Sequence, residues 1–369
     1  MTAHGPEHHE PGTTEARRRD EQDVEQGEPR DGGPPDELPA VAFWCALASL
    51  GGVGPAGLRA IADRSDPVEA WDRVVAGGAA SVPGLCGDHL GDDARRMRAA
   101  ALRVEADAID VALLWQRHRS VSVIVRGDGA MPERLADDID PPQVLFAQGS
   151  LDAVEGPTVA IVGTRRCTPG GAELAHEIGR ASAAAGARVI SGLAVGIDTA
   201  AHAGALDAGD GAAPPIAVVG SGLDVVYPAR SRALWRAVAE AGVVLSEYPL
   251  GTSPARWRFP ARNRLVAALA DVVVVIESPQ RGGSMYTVDE ALRRQRDVLA
   301  VPGSIHSLAS KGTNWLLSQG AQPCCGADDV LTALGLSADS PSGGIRSDPR
   351  PRPTGDGRRV LRAMGWDPT

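Results

Sequence analysis

Eight short runs rich in β-branched residues recur between residues 121 and 303, and they constrain the fold more than any other feature of the chain. They are VSVIV (121–125), QVLFA (143–147), TVAIVG (158–163), ARVISG (187–192), PIAVVG (215–220), GVVLSE (242–247), DVVVVIE (271–277) and DVLAVPG (297–303). Several are apolar at every position instead of alternating, as expected of strands covered on both faces. Amphipathic stretches separate most of them, so strand and helix alternate along the chain. The pattern predicts an α/β domain over 120–336 with a Rossmann-like, doubly wound, mostly parallel sheet. Such sheets bind ligands in the crevice at the carboxyl ends of their strands.

The flanks differ in composition. Residues 1–40 are charged and rich in Pro and Gly, with few large apolar groups to offset their ordering entropy, and they predict a disordered acidic arm. His4, His8 and His9 lie in that arm without fixed geometry, so no metal site is expected there. Residues 41–119 are helical in pattern, with Trp44, Leu47, Leu50, Leu58 and Ile61 spaced for a packed face around Gly51-Gly52-Val53-Gly54-Pro55. Two helices about a Gly-x-Gly turn outline a small all-helical module of SAM or helix-hairpin-helix type, and Val82-Pro83-Gly84-Leu85 is a second echo. Turn amides in such hairpins can face a phosphate. Residues 337–369 read as a Ser/Pro/Gly/Arg-rich linker followed by a short amphipathic start at Arg358–Met364.

A net charge of −10 at first argues against a nucleic-acid partner, because phosphates attract cations. The first forty residues, however, carry eleven Asp/Glu against four Arg, so everything after them sums to only −3. Lys311 is the only lysine. The five cysteines are odd in number, show no CxxC spacing, and predict reduced thiols in a cytoplasmic protein. No apolar stretch reaches the roughly 20 residues that span a bilayer, and no signal-peptide pattern opens the chain, so no membrane association is expected.

The chemistry concentrates at strand ends. Gly163-Thr164-Arg165-Arg166, Ser191-Gly192 and Gly220-Ser221-Gly222 each follow an apolar run, and glycine there lets backbone amides approach an anion. The dinucleotide fingerprint is incomplete, with Val225 where its third glycine belongs, and no GxxxxGK[ST] loop occurs, so no nucleotide cofactor is expected. The segment Pro254-Ala255-Arg256-Trp257-Arg258-Phe259-Pro260-Ala261-Arg262-Asn263-Arg264 interleaves four arginines with an indole and a phenyl ring. Cations for phosphates and faces for bases are what a single strand needs. Arg256, Phe259, Arg262, Asn263 and Arg264 are therefore candidates. Gly283 and Ser284, in the turn 281–287, form a further anion cup at a helix start. Lys311 opens another, with Gly312, Thr313 and Asn314. No nucleophile-base-orienter set is present; Asp198 and His202 are spaced as a helix-surface pair, and Asp224 and Glu247 sit at strand ends as ligand contacts or loop anchors.

Taken together, these motifs resemble the DNA-processing protein A family (DprA, also called Smf). The resemblance rests on MPERLADDIDPPQVLFAQG (131–149), VAIVGTRR (159–166), ISGLAVGIDTAAHAGAL (190–206), AVVGSGLDVVYP (217–228), SEYPLG (246–251), FPARNRLVAALAD (259–271), VVVIESPQRGGSMYTVDEA (273–291), AVPGS (300–304) and KGTNWLLSQGA (311–321). It implies a non-catalytic protein that binds and protects incoming single-stranded DNA and helps load RecA in natural transformation, usually as a homodimer. The same resemblance places the VGTRR loop, the Ser191-Gly192 turn, the FPARNR segment and the GGS turn on the DNA pocket. Where the family commonly has SGSLITA this chain has Gly282-Gly283-Ser284-Met285-Tyr286-Thr287-Val288. Many members end in a winged-helix domain, of which residues 337–369 hold at most a remnant. The competing reading is a nucleotide N-glycosidase of the lysine-decarboxylase-like (LOG) phosphoribohydrolase group. In that case Gly282 to Glu290 stands in for PGGxGTxxE, with Glu290 on the developing charge and Arg281 or Arg294 on the phosphate.

Overall fold

The computed structural model describes Met1 and residues 37–87 and 89–336, so the expectations for the acidic arm, its histidines and the segment 337–369 lie outside the described residues. Five helices come first: α1 (Ala40–Ser49), α2 (Pro55–Ala62), α3 (Pro67–Val75), α4 (Asp92–Asp107) and α5 (Val111–His118). Their starts follow helix chemistry, as at α3, where Asp66 accepts the Val68 and Glu69 amides and Pro67 opens the first turn.

Nine strands follow: β1 (Ser122–Val125), β2 (Val144–Gly149), β3 (Thr158–Val162), β4 (Arg188–Ser191), β5 (Ile216–Val219), β6 (Val243–Ser246), β7 (Val272–Val275), β8 (Asp297–Ala300) and β9 (Gln322–Pro323). Between and after them lie α6 (Glu133–Ala136), α7 (Pro169–Ala184), α8 (Ile197–Leu206), α9 (Arg232–Ala241), α10 (Arg258–Leu269), α11 (Gly283–Arg293), α12 (Lys311–Ser318) and α13 (Ala327–Ala333). All form one sheet in the order β1-β2-β6-β5-β4-β3-β7-β8-β9. Pairing is parallel from β6 through β9, while β1–β2 and β2–β6 are antiparallel. The eight runs are the first eight strands; β9, only two residues long, has no run to announce it.

The chain winds from β3 to β6 in one direction, and α10 then returns it to β7 on the other side of β3. That reversal opens a crevice beyond the ends of β3 and β7. Alternate residues of a strand feed opposite cores: Val159 and Ile161 pack with α7 and α8, while Ala160 and Val162 pack with α10 and α11. Both faces are covered, hence the unbroken apolar runs.

The helices α1–α5 share a core with the sheet, where Trp44, Leu47, Ile61 and Trp71 join one cluster with Phe146, Val244 and Trp235. Polar contacts add to it. His118 is buried and neutral: its Nδ1 lies 2.8 Å from the Leu114 carbonyl, and its Nε2 accepts the Leu250 amide at 3.1 Å. Burial holds its pKa below the usual histidine value. Arg117 pairs with Asp224, which also accepts the Gly251 amide at 2.7 Å. Asp224 is thus a loop anchor. Under the opposite end of the sheet, Asp271 accepts the Thr158 amide at 2.9 Å and Arg134 Nη2 at 3.0 Å. Burial works against its ionisation, but these donors prevail and hold the carboxyl below its usual range. Among the described residues no helix is long and apolar enough to cross a membrane, and the five cysteines are free.

Candidate functional site

The crevice has a volume of about 670 Å³ and is lined by the ends of β3, β4 and β7 and by the first half of α10. Its first wall is the loop Gly163–Arg166. A Cβ on Gly163 would stand 2.5 Å from Ile197 Cγ1 and 2.8 Å from the Glu277 carbonyl, so only glycine fits there. The loop is held from behind by Glu277: its carbonyl accepts the Thr164 amide at 2.7 Å, and its carboxylate accepts Thr168 N and Oγ1 at 2.8 and 2.6 Å. Arg165 and Arg166 consequently project outward. The Arg165 guanidinium lies 4.9 Å from the centre of the Phe259 ring, and Phe259 in turn meets Tyr227 at 5.6 Å between centroids.

Arg262 forms the floor. Its guanidinium is buried and donates to the Val218 carbonyl, and the neighbouring Asp198 accepts the Gly192 amide at 3.1 Å. Burial pushes the Asp198 carboxyl up, and the charge of Arg262 counters it. A Cβ on Gly192 would overlap the Arg262 guanidinium, which explains the glycine. Opposite, Asn263 Nδ2 donates to the Gly283 carbonyl at 3.2 Å and ties α10 to the start of α11. Gly283 and Ser284 occupy that first turn, where helix geometry leaves amides without intrahelical partners, and Ser284 Oγ is bonded to Ser278 Oγ at 2.8 Å. Four arginines (Arg165, Arg166, Arg256 and Arg262) line the crevice against one carboxylate, Asp198. The arrangement favours a polyanion with flat, stackable groups.

Eleven of the fourteen sequence candidates line this crevice: Gly163, Thr164, Arg165, Arg166, Gly192, Arg256, Phe259, Arg262, Asn263, Gly283 and Ser284. Three do not. Ser191 is buried in the sheet and its hydroxyl donates to the Ile161 carbonyl at 2.7 Å. Arg264 leaves α10 on the other side and pairs with Glu247 and Asp140. Lys311 is exposed at the start of α12, and the cup behind it is already filled: Gly312 N donates to the Ser278 carbonyl at 2.7 Å, and Asn314 is bonded to both the amide and the carbonyl of Gly303. Several amides expected to face an anion are likewise taken internally, those of Thr164 and Gly192 among them. Tyr227 and Asp198 line the crevice without having been candidates. Tyr227 had a signal, an aromatic residue in the polar loop after a glycine-ended strand.

Asp198 and His202 do not form a surface pair, because both are buried. Neither ring nitrogen of His202 has a hydrogen-bond partner among the described residues. Burial first, and the charge of Arg262 second, hold the imidazole down at about 4. The unfolded chain therefore binds more protons than the folded one between about pH 4 and the ordinary histidine value of 6.5. Stability from this group is whole above that window and is lost as pH falls through it, by roughly 3 kcal/mol. His202→Leu is expected to flatten this acid limb in melts taken between pH 7 and pH 4.5. Parallel curves for the two proteins would contradict the assignment.

Glu290, the acid an N-glycosidase would need, is absent from the crevice lining. It is paired with Arg293 at 3.0 Å and with Arg294, and Arg294 is also bound to Asp138 at 2.7 Å. The first two pairs lie along α11, and Arg294–Asp138 tethers its end to the loop after α6. Among the described residues no group of three or more His, Cys, Asp or Glu could hold a metal ion.

Residues 122–335 match the family model of DNA recombination-mediator protein A. The chain is 35% identical over 327 residues to a putative DNA processing protein DprA of Mycobacterium tuberculosis, covering 84% of this chain and 80% of that one. It is 40% identical over 219 residues to DNA processing protein DprA of Streptococcus pneumoniae, covering 59% of this chain and 74% of the relative. The crystal structure of DprA from Streptococcus pneumoniae is similar with a TM-score of 0.65 and 31% identity, over 80% of this chain and 98% of that one. DNA processing protein A from Helicobacter pylori, whose structure concerns its single-stranded DNA binding mode, is similar with a TM-score of 0.52 and 31% identity, over 58% and 95% of the two chains.

Proposed function

Because this chain belongs to the DNA recombination-mediator protein A (DprA/Smf) family, we propose that its crevice binds single-stranded DNA. The observation that carries the reading is Arg165 over the Phe259 ring, with Tyr227 against that same ring, beside the buried cation of Arg262. A base can stack there only when it is unpaired, and its phosphates meet arginine on both sides. The Helicobacter pylori relative supports the same ligand. The protein protects incoming single strands and assists RecA loading in natural transformation and recombination, as a cytoplasmic homodimer. It acts by binding, without catalysis, and the engagement of Glu290 by Arg293 and Arg294 supports this.

A salt titration with labelled oligonucleotides tests the proposal. With up to four arginines on phosphates, log affinity is expected to fall with log salt at a slope of about −2 to −3, at roughly 0.7 per contact. Single strands should outcompete duplex of the same sequence. Salt-insensitive or absent binding would overturn the reading, and steady release of free base from nucleoside monophosphates would replace it with the N-glycosidase.

A further inference from the structure

Trp257 stands at the start of α10 between two residues that line the crevice closely, Arg256 and Phe259, yet does not line it itself. Its indole is 55% exposed. Large aromatic side chains are rarely left so open without a partner, and this one is not loose. The Arg258 guanidinium lies 5.0 Å from the centre of the indole and 4.9 Å from that of Tyr248, over both rings, and it also donates to the Ser253 carbonyl. Tyr248 meets the indole edge-on at 6.2 Å, with the planes at 82°. Tyr248 is itself buried. The exposed ring is thus fixed from beneath by a cation and a second ring, so little further ordering accompanies a contact with it.

Trp257 and Phe259 are two positions apart, a spacing that sends side chains to opposite sides where a helix begins. Phe259 lines the crevice with Arg165 and Tyr227, whereas Trp257 is exposed outside that lining. Two aromatic-cation stations, Phe259 with Arg165 and Trp257 with Arg258, therefore flank the first turn of α10. Each pairs a stacking face with a guanidinium, the combination that holds successive nucleotides of an unpaired strand.

We propose that Trp257 is a second base-stacking station, taking a nucleobase of the strand as it leaves the crevice. The inference rests on the single-stranded DNA reading and extends it: the footprint on DNA exceeds what the crevice encloses. Arg258 positions the indole and offers charge to the intervening phosphate.

Titration of the full-length chain with oligothymidylates, from the dinucleotide to lengths beyond the roughly 4 to 16 nucleotides of common single-strand sites, separates the possibilities. Trp257→Ala is expected to weaken long oligomers on the order of tenfold and to leave the dinucleotide unchanged. Trp257→Phe should keep most of the affinity, whereas Phe259→Ala should weaken both lengths. A 2-aminopurine placed along a long oligomer should lose its quenching at one position in Trp257→Ala alone. Wild-type affinity of Trp257→Ala at every length overturns the inference while leaving the crevice reading intact. An equal loss at every length also overturns it, since the indole would then act through the crevice. Failure of the unaltered chain to bind any oligomer overturns both.

Discussion

Replacing Arg262 with alanine is expected to lower affinity for single-stranded DNA on the order of 100-fold and to destabilise the fold by about 3 to 5 kcal/mol. Both effects come from one guanidinium in two roles. It lines the crevice floor, where it meets a phosphate or a base edge, and it compensates the buried Asp198. Without it the Asp198 carboxyl stays inside only by taking up a proton, so its folded pKa rises further. A raised carboxyl pKa contributes stability below the unfolded value and loses it as pH rises, so Arg262→Ala should be least stable, relative to the unaltered chain, at neutral pH. Adding Asp198→Asn removes the stranded charge and leaves an oxygen to accept the Gly192 amide. The double variant should regain most of the melting temperature but none of the affinity. Recovery of binding in the double variant would show that Arg262 acts only as a structural cation.

The sheet was legible because burial on both faces leaves its strands mostly apolar, so runs such as DVVVVIE stand out from helical surroundings. Elements of a few residues carry no such period, and α6 and β9 were invisible for that reason. At the site, residue type pointed to the right loops but not to side-chain direction. Glycine at a strand end shows that backbone can approach an anion, not that its amide is free; the Gly192 amide already belongs to Asp198, and Thr168 at the α7 start belongs to Glu277. Asp198 and His202, four residues apart on α8, have the spacing of a surface pair. Only the packing of α8 against α7 and the sheet shows that both are inside. Tyr227 carried a signal as an aromatic residue after a glycine-ended strand, but its contact with Phe259, 32 positions along the chain, appears only in the fold.

Arg264 is the sharper case, because it lies two residues from Arg262 in the same basic segment and the structure gives it the opposite task. Two positions along a helix are about 200° apart, so the two guanidinium groups cannot share a wall. Arg264 is buried against Glu247, reaches the Asp140 carbonyl at 2.5 Å, and through Asp140 joins Arg59 on α2. The network ties α10 to the end of β6 and to the helical module, on the side away from the crevice. Arg264→Ala strands Glu247 and should cost about 3 to 5 kcal/mol in denaturant unfolding. Arg264→Met with Glu247→Leu exchanges the pair for apolar side chains of similar bulk and should recover most of that loss, since a buried ion pair often gains little over a packed hydrophobic one. In either protein the folded fraction should bind single-stranded DNA within about twofold of the unaltered chain, because the two arginines have no shared partner. A loss of affinity as large as that of Arg262→Ala, measured on folded protein, would mean that the network sets the angle of α10 and that both faces of the helix belong to the binding site.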